Sequence, residues 1–398
     1  MAMTEKTATD VPPLPYGRQW IDEDDIAAVV ETLRGDWLTQ GPTVAEFERA
    51  LAEYCGAKYA VAVSSGTAAL HVAALAAGVG AGDVGITSPI TFVASANCLA
   101  YCGATPAFAD INPRTANMSV EALEAACRKL APKVIVPVDL TGQPADMPEI
   151  YNIAQEYGAT VIEDAAHALG ARYTHDGVEF RVGSCAHADM AVLSFHPVKH
   201  ITTGEGGAVL TNDENFYQRL LELRTHGITR DADRMMRNDG PWYHEQHQLG
   251  FNYRITDIQC ALGLSQMRKL DYFVERRRAL VEHYKISLGY LSDDVSLLTE
   301  TVGKKSSYHL LVALIRGGAE RRRRVFDYLH AQNIRVQVHY IPVHFQPWYQ
   351  EQFGFREGDF PNAESYYASC LSLPLFPAMT EADVERVALA LEQALKES

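Results

Sequence analysis

No apolar run in this sequence reaches the roughly 20 residues that a membrane-spanning helix needs. Residues 1–11 are polar and lack the apolar centre of a secretory leader. A soluble cytoplasmic protein is therefore the expectation. Basic residues are scarce: 35 Lys and Arg stand against 50 Asp and Glu, a formal net charge of −15. That balance argues against nucleic acid or an anionic membrane as partner, since both call for a basic face. It leaves room for an anionic small ligand in a locally positive pocket. The seven cysteines include no Cys-x-x-Cys pair and read as reduced thiols. The 14 histidines form no His-Glu-x-x-His, so no metal site is expected. The absence of a Gly-x-Ser-x-Gly elbow leaves serine-hydrolase chemistry unsupported. Gly204-Glu205-Gly206-Gly207 lacks both the third glycine and the early placement of a dinucleotide fingerprint.

What is present is a globular chain of 398 residues, 47% apolar, long enough for two or three domains. Residues 1–15 end in Val11-Pro12-Pro13-Leu14-Pro15 and read as an extended mobile arm. Short β-rich runs at 59–63, 85–87, 133–138, 159–163, 190–194 and 208–211 alternate with helical stretches such as 68–77, 91–102 and 147–157. This alternation predicts an α/β domain over 16–256, a mainly parallel sheet with helices on both faces. Beyond residue 257 the texture changes. One long helix is expected from 257 towards 290, then a smaller α+β domain with strands at 309–314 and 335–339 and helices at 320–332 and 381–395.

Ligands of open α/β sheets sit beyond the carboxyl ends of the strands, and several segments place reactive residues there. Asp164 closes the apolar run Val161-Ile162-Glu163, and Lys199 lies in Ser194-Phe195-His196-Pro197-Val198-Lys199, followed by the glycine-rich turn 202–207. A lysine and an acid so placed suit pyridoxal phosphate. The lysine would form a Schiff base with the cofactor aldehyde, and the acid would hold the pyridine nitrogen protonated. Ser65-Gly66-Thr67 opens a helix whose exposed amides would hold a phosphate, with Gly66 allowing close approach and Ser194 adding a hydroxyl. His167 lies one turn beyond Asp164, within reach of the cofactor O3′, and Phe92 is a candidate to stack on the ring. Each feature alone has an ordinary reading: a helix cap for Ser65 and Asp164, a surface charge for Lys199, core for Phe92. Their combination carries the assignment.

The segments Ser64-Ser65-Gly66-Thr67-Ala68-Ala69-Leu70, Glu163-Asp164-Ala165-Ala166-His167, Ser194 to Lys199 and Gly250-Phe251-Asn252-Tyr253-Arg254 resemble the DegT/DnrJ/EryC1/StrS sugar aminotransferases over about 15–395. The resemblance implies the fold-type-I architecture of pyridoxal-phosphate transferases, with Lys199 as the cofactor-linked residue. It implies that Asn252 reaches the cofactor phosphate of a neighbouring subunit, which would make a homodimer with shared active sites. Tyr16, Thr39, Tyr253, Arg254 and His339 lie in segments similar to sugar-nucleotide contacts, and a guanidinium at Arg254 can grip a diphosphate bidentately. Three further segments, 38–41, 199–207 and 336–342, are most similar to the branch of pseudaminic acid biosynthesis. That branch aminates a UDP-linked 4-keto-6-deoxy-N-acetylhexosamine with L-glutamate as donor. The alternatives are another nucleotide 4-ketohexose, of the perosamine type, or a sugar dehydratase on the same fold. Dehydratase relatives replace the lysine by histidine, so Lys199 favours amino transfer. A non-catalytic regulator would need a basic helix-turn-helix segment, which the sequence does not show.

Overall fold

The computed structural model describes residues 12–298 and 300–398. Seven strands build the central sheet: β1 (Tyr59–Val63), β2 (Val84–Thr87), β3 (Thr105–Phe108), β4 (Val134–Val136), β5 (Thr160–Asp164), β6 (Met190–Ser194) and β7 (Gly207–Thr211), in the order β1-β7-β6-β5-β4-β2-β3. Only β7 runs antiparallel to its neighbours, so the sheet is mainly parallel and the expected α/β class holds. The strand missing from the sequence reading is β3, whose Pro106 breaks the pattern; it sits at the sheet edge, where a proline removes no ladder bond that matters.

Successive strand residues point to opposite faces, and both faces are buried. Val61, Val63, Ile162, Val192 and Val209 pack on one side with the helix Gly66–Ala76. Ala60, Ala62, Ala191, Leu193 and Leu210 pack on the other, beside Phe47 and Leu51 of the helix Pro42–Cys55. Small residues on Gly66–Ala76, with Ala68, Ala69, Ala73, Ala74 and Ala76 all buried, let that helix lie close on the strands. The same alternation sends Asp164 to the face of Ile162 and Glu163 to the face of Val161.

The expected long helix from 257 is two helices, Asp257–Met267 and Leu270–Leu288, separated at Arg268-Lys269. Lys269 leaves the helical run to place its Nζ 2.7 Å from both Asp22 and the fully buried Asp25, at the start of the helix Glu23–Arg34. The apolar periodicity continues across this break, which is why the sequence reads as one helix. Phe273, Val274, Leu280, Val281, Tyr284 and Leu288 then form a buried stripe at helical spacing. Within it Arg277 is also buried, its guanidinium donating to the carbonyls of Leu375 at 2.8 Å and His309 at 3.2 Å.

Beyond lies a three-stranded antiparallel sheet, Leu311–Ile315 between Val295–Leu297 and Cys370–Leu373, packed on the helices Gly318–Ala331 and Glu381–Glu397. The strand expected at 335–339 is shorter: Ile334–Arg335, running parallel to Leu14–Pro15. Residues 1–11 of the expected arm lie outside the described residues. Leu14 is buried in the C-terminal core with Leu280 and Leu395, so this part of the arm is tied down. Among the described residues no helix is long and apolar enough to cross a membrane.

Glu163 and Asp139 form a buried carboxyl pair behind the sheet. Glu163 also accepts the Gly183 N–H at 3.1 Å, and Asp139 the Ala145 N–H at 2.7 Å. Burial pushes both carboxyls upward, so the pair keeps a proton that exposed acids release. Above the ordinary glutamate value of 4.5 the folded chain therefore binds more protons than the unfolded one, and stability falls as pH rises towards neutrality. Gln at 163 donates an N–H to Asp139 without titrating. From about pH 5 to about pH 8 the melting temperature of the native chain should fall relative to that of Glu163→Gln by roughly 2 °C or more. Parallel pH–melting curves for the two proteins would show that the pair holds no such proton.

Candidate active site

A cavity of about 490 Å³ opens at the carboxyl ends of β5 and β6. It gathers Tyr16, Gly66, Thr67, Phe92, Asp164, His167, Ser194, Lys199 and His339 from the residues singled out in the sequence. Asn252, Thr39, Tyr253 and Arg254 stand outside its lining. Asn252 is exposed and bridges Thr225, and Thr39 is exposed and bridges Thr256. Arg254 bridges Val63 at the end of β1, and the Tyr253 hydroxyl lies 3.1 Å from His71 Nδ1.

The helix Gly66–Ala76 starts two residues earlier than its apolar run suggests, because Ser65 caps it by accepting the Ala68 N–H at 3.1 Å. The first amides of a helix have no partner within it, and the positive end of its dipole favours an anion there. A Cβ on Gly66 would stand 2.9 Å from Ser194 Cβ, so helix start and β6 end approach as closely as glycine permits. The result is a cradle of amides and hydroxyls that fits a phosphate.

Asp164 is buried at the end of β5. Its Oδ2 accepts a short hydrogen bond of 2.6 Å from Ser95, and its Oδ1 accepts the Ala166 N–H at 3.2 Å. Burial pushes its carboxyl up, while the Ser95 hydroxyl, the Ala166 amide and the Lys199 charge act against that rise. Lys199 is half-buried in the cavity wall; desolvation pushes its ammonium down to about 8, against the opposing pull of Asp164. Around them stand histidines held neutral at pH 7. His167 Nε2 lies 3.2 Å from the Tyr340 hydroxyl, and its ring is 4.4 Å from that of His309. Burial, reinforced by the charge of Lys199, pushes both well down, and His339 to about 4. His167 Nδ1 is buried without a partner. A cavity that holds a lysine of lowered proton affinity, a buried acid and a phosphate cradle fits pyridoxal phosphate well.

Among the lining residues that escaped the sequence reading are Ser95, Thr91 and Tyr340. Nothing in the local pattern marks them. A serine and a threonine at the start of a helix look like caps, and Tyr340 reaches His167 from 173 positions away in the chain.

The chain matches the model of the DegT/DnrJ/EryC1/StrS aminotransferase family over residues 19–392. It is 39% identical over 386 residues to the spore coat polysaccharide biosynthesis protein SpsC of Bacillus subtilis, covering 96% of this chain and 97% of that one. Among solved structures it is similar to Helicobacter pylori PseC, described as an aminotransferase involved in the biosynthesis of pseudoaminic acid. That match has a TM-score of 0.88 and 31% identity, and covers 97% of this chain and 100% of that one. It is also similar to the putative sugar aminotransferase Spr1654 of Streptococcus pneumoniae in its PMP form, with a TM-score of 0.89 and 29% identity over 96% of this chain and 99% of that one. The chain belongs to the DegT/DnrJ/EryC1/StrS aminotransferase family, and it is a pyridoxal-phosphate-dependent sugar aminotransferase of fold type I.

Only a neutral amine attacks an aldehyde. The rate at which cofactor-free protein captures pyridoxal phosphate should therefore rise with pH up to about 8 and level off above it. Stopped-flow absorbance over a pH series reads this directly. A rate still climbing past about pH 10, as for an ordinary lysine, would show that the Lys199 ammonium is not desolvated.

Proposed function

We propose that this chain transfers the amino group of L-glutamate to C4 of UDP-2-acetamido-2,6-dideoxy-β-L-arabino-hexos-4-ulose, in pseudaminic acid biosynthesis in the cytoplasm. The observation that carries this reading is the set of Lys199, Asp164 and the Gly66–Ser194 cradle on one cavity, in a chain similar to PseC along its whole length.

Bound pyridoxal phosphate supplies an aldehyde that takes up the amino group and a ring that accepts the electrons freed at the donor carbon. The amides of Gly66 and Thr67 and the Ser194 hydroxyl would hold its phosphate, and Phe92 would cover one face of its ring. Asp164 would keep the pyridine nitrogen protonated by presenting a fixed negative charge, and His167 would meet O3′. Lys199, with a proton affinity near neutrality, can both take and give a proton. Its task is to carry the proton between the donor Cα and the cofactor carbon C4′, and later to deliver one to C4 of the sugar from one side, which fixes the new stereocentre.

Tyr16 and His339, with ring centroids 5.1 Å apart on the cavity wall, are placed to contact the sugar. Thr39, Asn252, Tyr253 and Arg254 lie outside the lining of this chain's cavity, and Asn252 is exposed. That placement suits a homodimer in which Asn252 reaches the cofactor phosphate of the second copy and Arg254 grips the substrate diphosphate. A second reading is a different nucleotide-linked 4-ketohexose, since SpsC, at 39% identity, is described only as a spore coat polysaccharide biosynthesis protein.

The deciding experiment loads the enzyme with amine-form cofactor and offers a panel of nucleotide 4-keto sugars, following the return of the lysine-linked cofactor's visible absorbance. Return with the UDP-β-L-arabino-hexos-4-ulose alone supports the first reading; return only with another sugar overturns it in favour of the second. Lys199→Ala should lose both that absorbance and activity, the latter by roughly 10³-fold or more. Asn252→Ala should weaken cofactor retention by about tenfold while the dimer persists, as measured by equilibrium titration. Unchanged retention would refute a shared site.

A further inference from the structure

The polar support of Asp164 extends beyond the carboxylate itself. Ser95 is 1% exposed and Thr91 is 2% exposed, and both line the cavity from the segment that also carries Phe92. Ser95 Oγ stands 2.6 Å from Asp164 Oδ2, 2.7 Å from Thr91 Oγ1 and 3.3 Å from the Phe92 carbonyl. A hydroxyl has one proton to give. The charged acceptor at the shorter distance takes it, which leaves Thr91 as the donor to Ser95. The result is a one-directional chain, Thr91 to Ser95 to Asp164, in which each hydroxyl polarises the next.

This chain settles how the carboxylate faces. Oδ1 is engaged by the Ala166 amide and Oδ2 by Ser95, so the plane of the group is pinned at both oxygens. Each oxygen keeps a second lone pair for a proton donor in the cavity. We propose that Ser95, itself oriented by Thr91, is a positioning residue that fixes the Asp164 carboxylate against the cofactor's ring nitrogen. The inference rests on the assignment of Asp164 to that nitrogen. One short segment, residues 91–95, then sets both partners of the ring: Phe92 on its face and, through Ser95, the acid at its edge.

The ionisation of Asp164 follows the same arrangement. Burial drives its carboxyl up, and the Ser95 hydroxyl is the largest influence against that. The other titratable groups that interact with Asp164 are Lys199, a cation, Cys98 and Tyr340, and, from the opposite face of the strand, Glu163; the last three have proton affinities raised by burial and stay neutral in acid. Removing the Ser95 hydroxyl should therefore move the protonation of Asp164 to higher pH.

The test compares the Ser95→Ala, Thr91→Val and Asp164→Ala holoenzymes with the native one, reading the cofactor dissociation constant and the pH dependence of the glutamate half-reaction. Ser95→Ala is expected to weaken cofactor binding by roughly tenfold, to shift the acid limb of the rate profile upward, and to lower the rate at saturating glutamate with little change in KM. Thr91→Val should give a smaller shift of the same sign, and the double variant should match Ser95→Ala alone, since the hydroxyls act in series. Thr91→Ser, which keeps the hydroxyl, should behave as native. A purely structural role would lower the melting temperature and leave the acid limb in place; that result overturns the proposal. Should Ser95→Ala fail to fold, the Thr91→Val and Thr91→Ser pair decides alone. If Asp164→Ala also leaves affinity and profile unchanged, the assignment of Asp164 itself falls; if only the Asp164 variant responds, the Ser95 inference falls by itself.

Discussion

A carboxylate has to stay charged in a place without water. Asp164 ends β5 with apolar strands on either side, and its burial disfavours the ionised form that its proposed role needs. Much of the site can be read as the response to that demand. The Ala166 amide and the Ser95 hydroxyl satisfy one oxygen each, and Lys199 supplies the opposing charge. The histidines around them stay uncharged, so none competes with the lysine as a cation at neutral pH. The same dryness that makes the acid costly pulls the lysine's proton affinity down towards the pH at which it can shuttle protons. Burial thus acts on the two groups in opposite directions, raising the acid's proton affinity and lowering the lysine's.

The parts of this arrangement that could be read in the sequence are those with a local signature. Asp164 announces itself as the acid that ends an apolar run, Lys199 by its neighbours, and Gly66 by its place between a strand and a helix. The sheet was legible because short β-branched runs alternate with helical stretches. The unreadable parts are those that only the fold brings together. Ser95 and Thr91 look like helix-capping residues until Asp164 arrives from 69 positions away. Glu163 looks like a twin of Asp164, yet strand alternation sends it to the other face and a different partner. The division between Met267 and Leu270 was hidden because the apolar spacing runs through it; what breaks the helix there is a tertiary ion pair with Asp22 and Asp25.

On the proposed reading Tyr16 and His339 would contact the sugar, and both come from outside the segments that carry Asp164 and Lys199. Tyr16 arrives from the N-terminal segment and His339 from the segment after Ile334–Arg335, and the two meet on the cavity wall. Their rings are joined to the C-terminal core through the Tyr16 carbonyl, which accepts the Leu375 N–H, and through Ser372, which hydrogen-bonds His339 Nδ1. On that reading, substitutions in this part of the C-terminal core would act on the sugar contacts through Tyr16 and His339.

The alternation along β5 has a consequence for how this protein can change over evolutionary time. Glu163 and Asp164 are chemically near-equivalent acids in adjacent positions, and they meet different partners because they face opposite sides of a strand: Gly183 and Asp139 for the first, Ser95 and Ala166 for the second. Inserting or deleting a single residue within Thr160–Asp164 would exchange their surroundings and leave the cavity with the wrong carboxyl. Length variation should accordingly be purged from this strand far more strictly than amino-acid variation. Anyone transplanting segments between relatives must carry β5 across as an indivisible unit.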